Sequence, residues 1–347
     1  MRSDSHWTTA VVQATRDVTP DIREFTLAPE GGATHYPTGS HVKVRVIADG
    51  KSDLRHYSLV GDGPTPDGCW RVAVKRESPG RGGSRYMWSL PRGARLEVSR
   101  PDSHFELSRD APEYLLVAGG IGVTPIRGMA AALLRRGARF RMLYAGRSRG
   151  RMAYLDELVA ELGDRLEVFA GDEGRRIDLG AEVGRLRPDG ELYVCGPLPM
   201  MEAARRAWRD AGRAPARLVF ETFGSGGRYA AEPFTVRVPR LGVEVRVPED
   251  GTMLDALEAA GVGVLWDCRR GECGLCVLDV LEVEGAVDHR DVFFSEKQHA
   301  ENRKICACVS RVVGGGISVD PPFRGDGRLT PGAEGSVVRK TAAPAAG

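Results

Sequence analysis

The chain has 347 residues, 49 Lys and Arg against 47 Asp and Glu for a formal charge of +2, with 42% hydrophobic and 28% charged residues. That length suggests two or three ordinary folded domains and excludes wholesale disorder. So small a charge, with no long Lys/Arg block, offers no electrostatic footprint for nucleic acid or an anionic membrane surface. The longest apolar stretch, Tyr114 to Ile126, is too short to span a bilayer at roughly 20 residues and is broken by Gly119, Gly120, Gly122 and Pro125. The N-terminal MRSDSHWTTAVV has no apolar signal core. A monomeric, cytoplasmic protein that binds neither nucleic acid nor membrane is expected.

Residues 1–110 show short alternating runs such as HVKVRV, LRHYSLV, WRVAVKRE and ARLEVSR, separated by Gly/Pro/Asp clusters. This pattern predicts an antiparallel β-barrel. Over 111–223 the pattern becomes strand, helix, strand: YLLVAG, FRMLYAG, RLEVFAG, ELYVCG and ARLVFET alternate with helical stretches led by Pro125, Ala153 and Pro199. An α/β domain with a parallel sheet follows, binding ligands outside the carboxyl ends of its strands. A Gly-rich linker is expected over 224–233 and an α+β domain over 234–322. In the latter, FTVRV and VEVRV flank PRLG as a hairpin, Thr252 caps a helix, and a cysteine loop precedes VLDVLEV. Residues 323–347 hold few large apolar side chains and are expected to be a disordered tail.

Five of the seven cysteines crowd between 268 and 308, which argues for metal ligation rather than disulfides. Cys268, Cys273 and Cys276 stand in CRRGECGLC, and Cys308 follows in CACVSR after 31 intervening residues. This is the plant-type 2Fe-2S ligand spacing. Gly271 and Gly274 let the backbone wrap closely enough for amide N–H groups to face sulfur. The competing reading is a zinc site pairing Cys273 and Cys276 with Cys306 and Cys308; it is disfavoured because the second pair is CxC rather than a CxxC knuckle.

AGGIGVTPI follows an apolar strand and is expected to open a helix with Pro125 at its first position, leaving backbone amides to meet a pyrophosphate. It is not a Rossmann fingerprint, because Pro125 replaces the third Gly and no acidic residue follows at the required distance. YVCGPLPM repeats the design near the end of the same sheet, and two such turns make a cleft for an extended dinucleotide. In the barrel, RHYSL places Arg55, Tyr57 and Leu59 on one strand face. Arginine for a phosphate, an aromatic for a flavin ring and Ser58 for its polar edge make chemical sense together. The turn Arg81, Gly82, Gly83, Ser84 suits a terminal phosphate.

The order of RHYSL, VAVKRESPGRGGS, VAGGIGVTPI, YVCGPLPMMEA, CRRGECGLC and DHRDVFFSEKQ…CACVSR resembles the phthalate dioxygenase reductase family, which includes vanillate O-demethylase reductases. The resemblance covers about residues 8 to 320. It implies an FMN-binding barrel, an NADH-binding domain and a β-grasp ferredoxin domain carrying a 2Fe-2S cluster. It implies FMN contacts at Arg55, Tyr57, Ser58, Lys75, Arg81, Gly82, Gly83, Ser84, Thr124 and Phe223. NAD contacts fall on Gly120, Gly122, Thr124, Asp172, Cys195, Gly196 and Pro197, and Thr124 is expected to position the hydride. The CVSR ending aligns Cys308, not Cys306, with the last cluster ligand. Departures from the family pattern are Asp267 before the first ligand, Leu275 between two ligands, and GGGISVD at the end of the ferredoxin sheet. Arg147-Ser148 could instead welcome a 2′-phosphate.

His289-Arg290-Asp291 spells the HRD of kinases but lacks the accompanying motifs, and the scattered histidines suggest no metal set. Cys69 reads as barrel packing, and Cys195 as either packing or nicotinamide-proximal. NADH gives two electrons as a hydride whereas the cluster takes one, so a flavin must divide the pair. The expected acceptor is a separate oxygenase, a Rieske non-haem iron enzyme ahead of a haem monooxygenase. The contrasting expectation is a redox-sensing module without turnover.

Overall fold

The structure is a computed structural model that describes residues 7–48, 50–77, 82–103, 105–223, 229 and 231–322. Arg81, most of the expected linker and the expected tail lie outside the described residues. The chain divides into two compact units, Met1–Phe223 and Gly224–Gly347.

The first unit opens with β1 (Trp7–Thr19), β2 (Ile22–Pro29), β3 (His41–Ala48), β4 (Lys51–Ser58), β5 (Trp70–Lys75), helix α1 (Gly83–Ser89) and β6 (Arg95–Ser99). These strands pair antiparallel in the order β4-β3-β6-β1-β2-β5. Alternation buries Val42, Val44 and Val46 of β3 with Phe25 and Leu27 of β2 and Val72 and Val74 of β5, as expected where one face is dry and the other wet. The expected barrel is not closed by a continuous ladder. Its edges β4 and β5 meet at the isolated bridge Leu59↔Val72, beside which Val60 N donates to Arg71 O at 2.8 Å. Beyond Val60 the chain turns away through Gly61, Pro64 and Pro66, and proline cannot donate to a ladder.

Then follow β7 (Tyr114–Gly119), α2 (Val123–Arg135), β8 (Phe140–Gly146), α3 (Leu155–Leu162), β9 (Leu166–Ala170), α4 (Leu179–Arg185), β10 (Glu191–Cys195), α5 (Leu198–Asp210) and β11 (Leu218–Glu221). The five strands are parallel, in the order β11-β10-β7-β8-β9. All six residues of β7 are buried, which explains its unbroken apolar run. The strand order reverses direction between β7 and β10, the place where an open α/β sheet leaves a crevice at its carboxyl edge. A 3-10 turn, Gly120–Gly122, precedes α2, which starts at Val123. Pro125 therefore stands at the third helical position rather than the first, still within the turn whose N–H groups have no helical acceptor. Helix α4, which the sequence pattern did not suggest, is capped by Asp178, whose carboxylate accepts from Ala181 N at 3.0 Å.

The barrel and the parallel sheet share one core, in which Ile22, Val60, Ala73 and Phe105 pack with Val123, Ile126 and Met129. A buried polar link runs alongside. Tyr154, held at φ 61, donates its hydroxyl to Glu24 Oε2 at 2.9 Å, and the guanidiniums of Arg16 and Arg127 lie over its ring.

The second unit holds β12 (Phe234–Val238), β13 (Val243–Val247), α6 (Met253–Ala259), β14 (Val277–Asp288), α7 (Glu296–Glu301), β15 (Lys304–Cys306) and β16 (Arg311–Asp320). Its sheet order is β13-β12-β16-β14-β15, with β12 and β16 parallel and the other pairs antiparallel. Met253, Leu254 and Leu257 of α6 pack on Val236, Val247, Ile305 and Ile317, which is the expected α+β β-grasp arrangement. Thr252 caps α6 by accepting from Asp255 N at 3.0 Å.

Candidate functional site

Three groups of residues stand out, two in the first unit and one in the second. On the barrel, Arg55 and Tyr57 lie in β4. The Arg55 guanidinium donates to Asp53 Oδ2 and to Leu54 O at 2.9 Å, and lies so close to the following turn that a Cβ on Gly83 would stand 2.5 Å from Arg55 Nε. Gly82 enters α1 at φ 73, and Ser84 Oγ accepts from Glu77 N at 3.1 Å. Tyr57 is half-buried, and burial pushes its phenol well above the usual range. It therefore stays neutral and offers an aromatic face. Lys75 closes β5 opposite Ile22. The Arg55 guanidinium thus lies against the Gly82–Ser84 turn with the Tyr57 ring nearby, and a cation, a backbone turn and an aromatic ring fit a flavin mononucleotide.

On the parallel sheet, the two glycine turns touch. A Cβ on Gly122 would stand 2.2 Å from Cys195 O, and one on Gly196 would stand 3.1 Å from Gly119 Cα. Only hydrogen is tolerated at Gly122, which lets the β7 and β10 turns pack backbone against backbone. Ala118, Cys195 and Glu221 lie in register across the carboxyl ends of β7, β10 and β11. Thr124 is buried at the start of α2 and donates its hydroxyl to Ile121 O at 3.0 Å, so towards a ligand it retains acceptor capacity. Gly120 is half-exposed at φ 55, and Pro197 leads into α5. Asp172 sits in the turn after β9, its amide donating to Arg147 O at 2.9 Å. Beside it Glu173 accepts from Arg149 Nε at 2.6 Å. Phe223 packs half-buried against the shared core.

The first two groups converge. Ser58, at the end of β4, is buried with its Oγ 3.5 Å from Glu221 Oε2, itself 2% exposed at the end of β11. Glu221 was missed in the sequence, where it is the polar end of the apolar run ARLVFET. Its position beside Cys195 and Ser58 is a tertiary fact.

In the second unit the cysteine loop folds so that thiols meet. Cys276 is drawn down to about 3 by hydrogen bonds with Cys306 and Cys308. Cys273 is drawn to about 6 by its bond with Cys268, whose own thiol the same bond pushes up. The neighbouring Cys276 and burial push both the Cys308 and the Cys306 thiols up, with Cys268 adding to the effect on Cys308 and Asp291 to that on Cys306. The thiol contact between Cys268 and Cys273 draws Cys268 into the constellation, which a zinc site built on the other four would leave outside. Gly271, at φ 75, could not carry a side chain, since a Cβ would meet Val309 Cγ2 at 2.7 Å and Asp291 Cα at 2.8 Å. Arg269, at φ 51, holds a strained backbone in the same loop. It is anchored to α6 by Asp255 at 2.6 Å and Glu258 at 2.9 Å, over the ring of Trp266. Closely wrapped amides around thiols suit a 2Fe-2S cluster. Leu275 and Phe293 remain exposed beside this loop.

Contrary to the sequence reading, the fold does gather histidines. His289, Asp291 and His299 place one nitrogen or oxygen each within 4.8 Å of one another. The Asp291 oxygens are already taken, accepting from Ser310 Oγ at 3.2 Å, Phe294 N at 3.0 Å and His299 Nε2 at 3.0 Å. These lone pairs serve the protein rather than a cation.

Comparison with known proteins assigns all three groups to families of domains. Residues 9–107 match the oxidoreductase FAD-binding domain, 116–206 the oxidoreductase NAD-binding domain, and 236–313 the 2Fe-2S iron-sulfur cluster binding domain. The last match overturns the zinc alternative. The chain is 38% identical over 327 residues to a putative toluene-4-sulfonate monooxygenase system reductase subunit of Comamonas testosteroni, covering 92% of this chain and 100% of that protein. It is 37% identical over 311 residues to the heme-dependent oxidative N-demethylase beta subunit of Ectopseudomonas mendocina (strain ymp), covering 89% and 97%. Among solved structures it is similar to phthalate dioxygenase reductase, described as a modular structure for electron transfer from pyridine nucleotides to 2Fe-2S. The TM-score is 0.71 with 30% identity over 90% of this chain and 98% of that one. With flavin, nicotinamide and cluster domains in this order, the chain belongs to the phthalate dioxygenase reductase family.

Proposed function

We propose that this protein is the reductase component of a multicomponent oxygenase, taking electrons from NADH and delivering them through FMN and a 2Fe-2S cluster to a separate oxygenase. The observation that carries the reading is the meeting of Ser58 on the flavin barrel with Glu221 and Cys195 at the nucleotide cleft. It brings the two candidate sites together where a hydride would pass. When bound, flavin and cluster supply the conversion of a two-electron donor into a one-electron one. The protein's part is to hold the rings in order and to keep water out of the buried junction.

In this reading the domains are 1–110, 111–223 and 234–322. FMN is held by Arg55, Tyr57, Ser58, Lys75, the Arg81–Ser84 turn, Thr124 and Phe223. The dinucleotide lies along Gly120, Gly122, Thr124, Cys195, Gly196 and Pro197, with Asp172 at a ribose. The cluster ligands are Cys268, Cys273, Cys276 and Cys308. FMN rather than FAD is favoured by the resemblance and by the placement of Arg55 against the Gly83 turn. NADH over NADPH is favoured by the acidic turn at Asp172 and Glu173, which already engages Arg149 and would repel a 2′-phosphate. No helix among the described residues is long and apolar enough to cross a membrane. A monomer in a reducing cytoplasm is the reading that suits a thiol-ligated cluster.

The acceptor in this reading is a Rieske non-haem iron oxygenase. A haem acceptor is the second reading, supported by the relative named as heme-dependent. The sensing alternative is not favoured, because the relatives are named as subunits of turning-over enzyme systems. The test is steady-state reduction of cytochrome c by NADH and by NADPH, with the flavin identified by mass after acid release. Rapid turnover with NADH and release of FMN support the reading; a protein that binds NADH without reducing any acceptor contradicts it.

A further inference from the structure

The HRD segment between β14 and α7 has no part in the electron path described above, yet it is more densely bonded than a connecting loop requires. Asp291 is 1% exposed. Its carboxylate accepts from Ser310 Oγ, from Phe294 N and from His299 Nε2, with His289 Nδ1 facing it at 3.7 Å. The two histidine rings stack with centroids 4.4 Å apart, and His289 Nε2 meets Asn302 Oδ1 at 2.9 Å. Arg290 N donates to Ser310 Oγ at 3.2 Å.

The bond from Phe294 N closes a tight turn over residues 291–294. That turn aims two further amides, Val292 N at 3.0 Å and Phe293 N at 3.1 Å, at the carbonyl of Gly271. The packing there is close, for a Cβ on Gly271 would meet Asp291 Cα at 2.8 Å and, next to Cys308, Val309 Cγ2 at 2.7 Å. The Gly271–Glu272 peptide of the cluster loop, between Cys268 and Cys273, is therefore gripped at its carbonyl by the Asp291 turn. Ser310, two residues past Cys308, ties the same carboxylate to the turn that bears this thiol, between β15 and β16. Burial alone would raise the Asp291 carboxyl, but the bonds from His289, His299 and the Phe294 amide outweigh it and hold it below its ordinary range.

We infer that Asp291 is a positioning residue for the 2Fe-2S cluster, fixing the Gly271–Glu272 peptide of the ligand loop through the 291–294 turn and tying it through Ser310 to the turn that carries Cys308. The inference rests on the cluster reading above. Hydrogen bonds to cluster sulfurs help set the electronic character of the centre, and outer partners of metal ligands typically cost about 10- to 100-fold in metal affinity when removed. The carboxylate acts through its hydrogen bonds, not through its charge, so an amide that can still accept from Phe294 N should replace it.

The experiment uses the full-length holoprotein and its variants Asp291→Ala, Asp291→Asn and Ser310→Ala. Each is reduced with dithionite for EPR and challenged with an iron chelator, the thermal midpoint being recorded alongside. Asp291→Ala is expected to shift the EPR g-values and to release iron about 10-fold faster, while Asp291→Asn restores the wild-type g-values and most of the retention. Ser310→Ala, which spares the turn itself, is expected to shift both readouts in the same sense by less. It carries the test if Asp291→Ala fails to assemble. Asp291→Ala with a lowered thermal midpoint but wild-type g-values would overturn the inference, as would Asp291→Asn behaving like Asp291→Ala, or Ser310→Ala matching wild type in both readouts. A wild-type protein without iron would instead refute the cluster reading on which the inference stands.

Discussion

Ser58 Oγ and Glu221 Oε2 lie 3.5 Å apart, both buried, one at the end of a barrel strand and the other at the end of the edge strand of the parallel sheet. They come from positions 163 residues apart in the chain, and Cys195 stands in register beside Glu221. In the proposed function a bound nicotinamide would become cationic on giving up hydride, and the buried Glu221 carboxylate would stabilise that developing charge.

Glu221→Gln keeps the shape of the junction and removes the carboxylate. Flavin reduction by NADH, followed by rapid mixing, should slow by about 100-fold, with flavin content unchanged. A wild-type rate would show that Glu221 lies off the hydride path.

Gly122→Ala inserts a Cβ 2.2 Å from Cys195 O and must push the two nucleotide turns apart. Displacements near 1 Å can cost about 100-fold in rate. We expect weaker NADH binding and a fall of that order in kcat/KM with NADH, while flavin and iron contents stay at wild-type levels. Loss of flavin with unchanged NADH affinity would misplace the cleft.

Cys308→Ser should abolish the cluster's visible absorption and leave NADH-dependent flavin bleaching nearly normal, because flavin site and cluster loop lie in separate units. Cys306→Ser, at a position fully buried in β15, should retain the cluster. Iron analysis of the two proteins decides, and the reverse pattern would make Cys306 the ligand.

Glu157 joins the barrel to α2 by accepting from Arg16 Nη1 at 2.7 Å and from Arg127 Nη1. Burial raises its carboxyl, but the Arg16 hydrogen bond and the charges of Arg127 and Arg16 outweigh this and leave it below the ordinary glutamate value. Its contribution to stability is therefore present above the unfolded value of about 4.3 and is lost as pH falls through the lower folded value. Glu157→Gln should lower the thermal midpoint of the flavin-nucleotide unit at pH 7 by roughly 1 to 2 °C, as suits a partly exposed ion pair. The gap should close in acid. A gap independent of pH would assign the effect to packing instead.

Much of this architecture was readable before folding was considered. The parallel strands announced themselves because β7 is buried on both faces, and the barrel strands because one face of β3 is dry and the other wet. The cysteine spacing and the two glycine turns carried their chemistry locally. What could not be read depends on distant pairings. That the barrel stays open, its edges β4 and β5 meeting only around the isolated bridge Leu59↔Val72, follows from how far the chain runs before the prolines. Pro125 is two positions deeper in α2 than its pattern suggested, because a 3-10 turn takes up the glycines. Glu221 looked like a strand's wet end until Ser58 came to face it. The HRD triplet looked incidental because its partners, Gly271 and Ser310, lie on either side of it in the chain and meet it only in space.

The most direct test of the relay is an anaerobic titration of the purified protein with NADH, followed by visible absorption. The account predicts that flavin and cluster bands bleach together, with reducing equivalents taken up beyond the capacity of the flavin alone. Bleaching of the flavin while iron-sulfur absorption stays unchanged, or the absence of that absorption from a freshly purified protein, would contradict it.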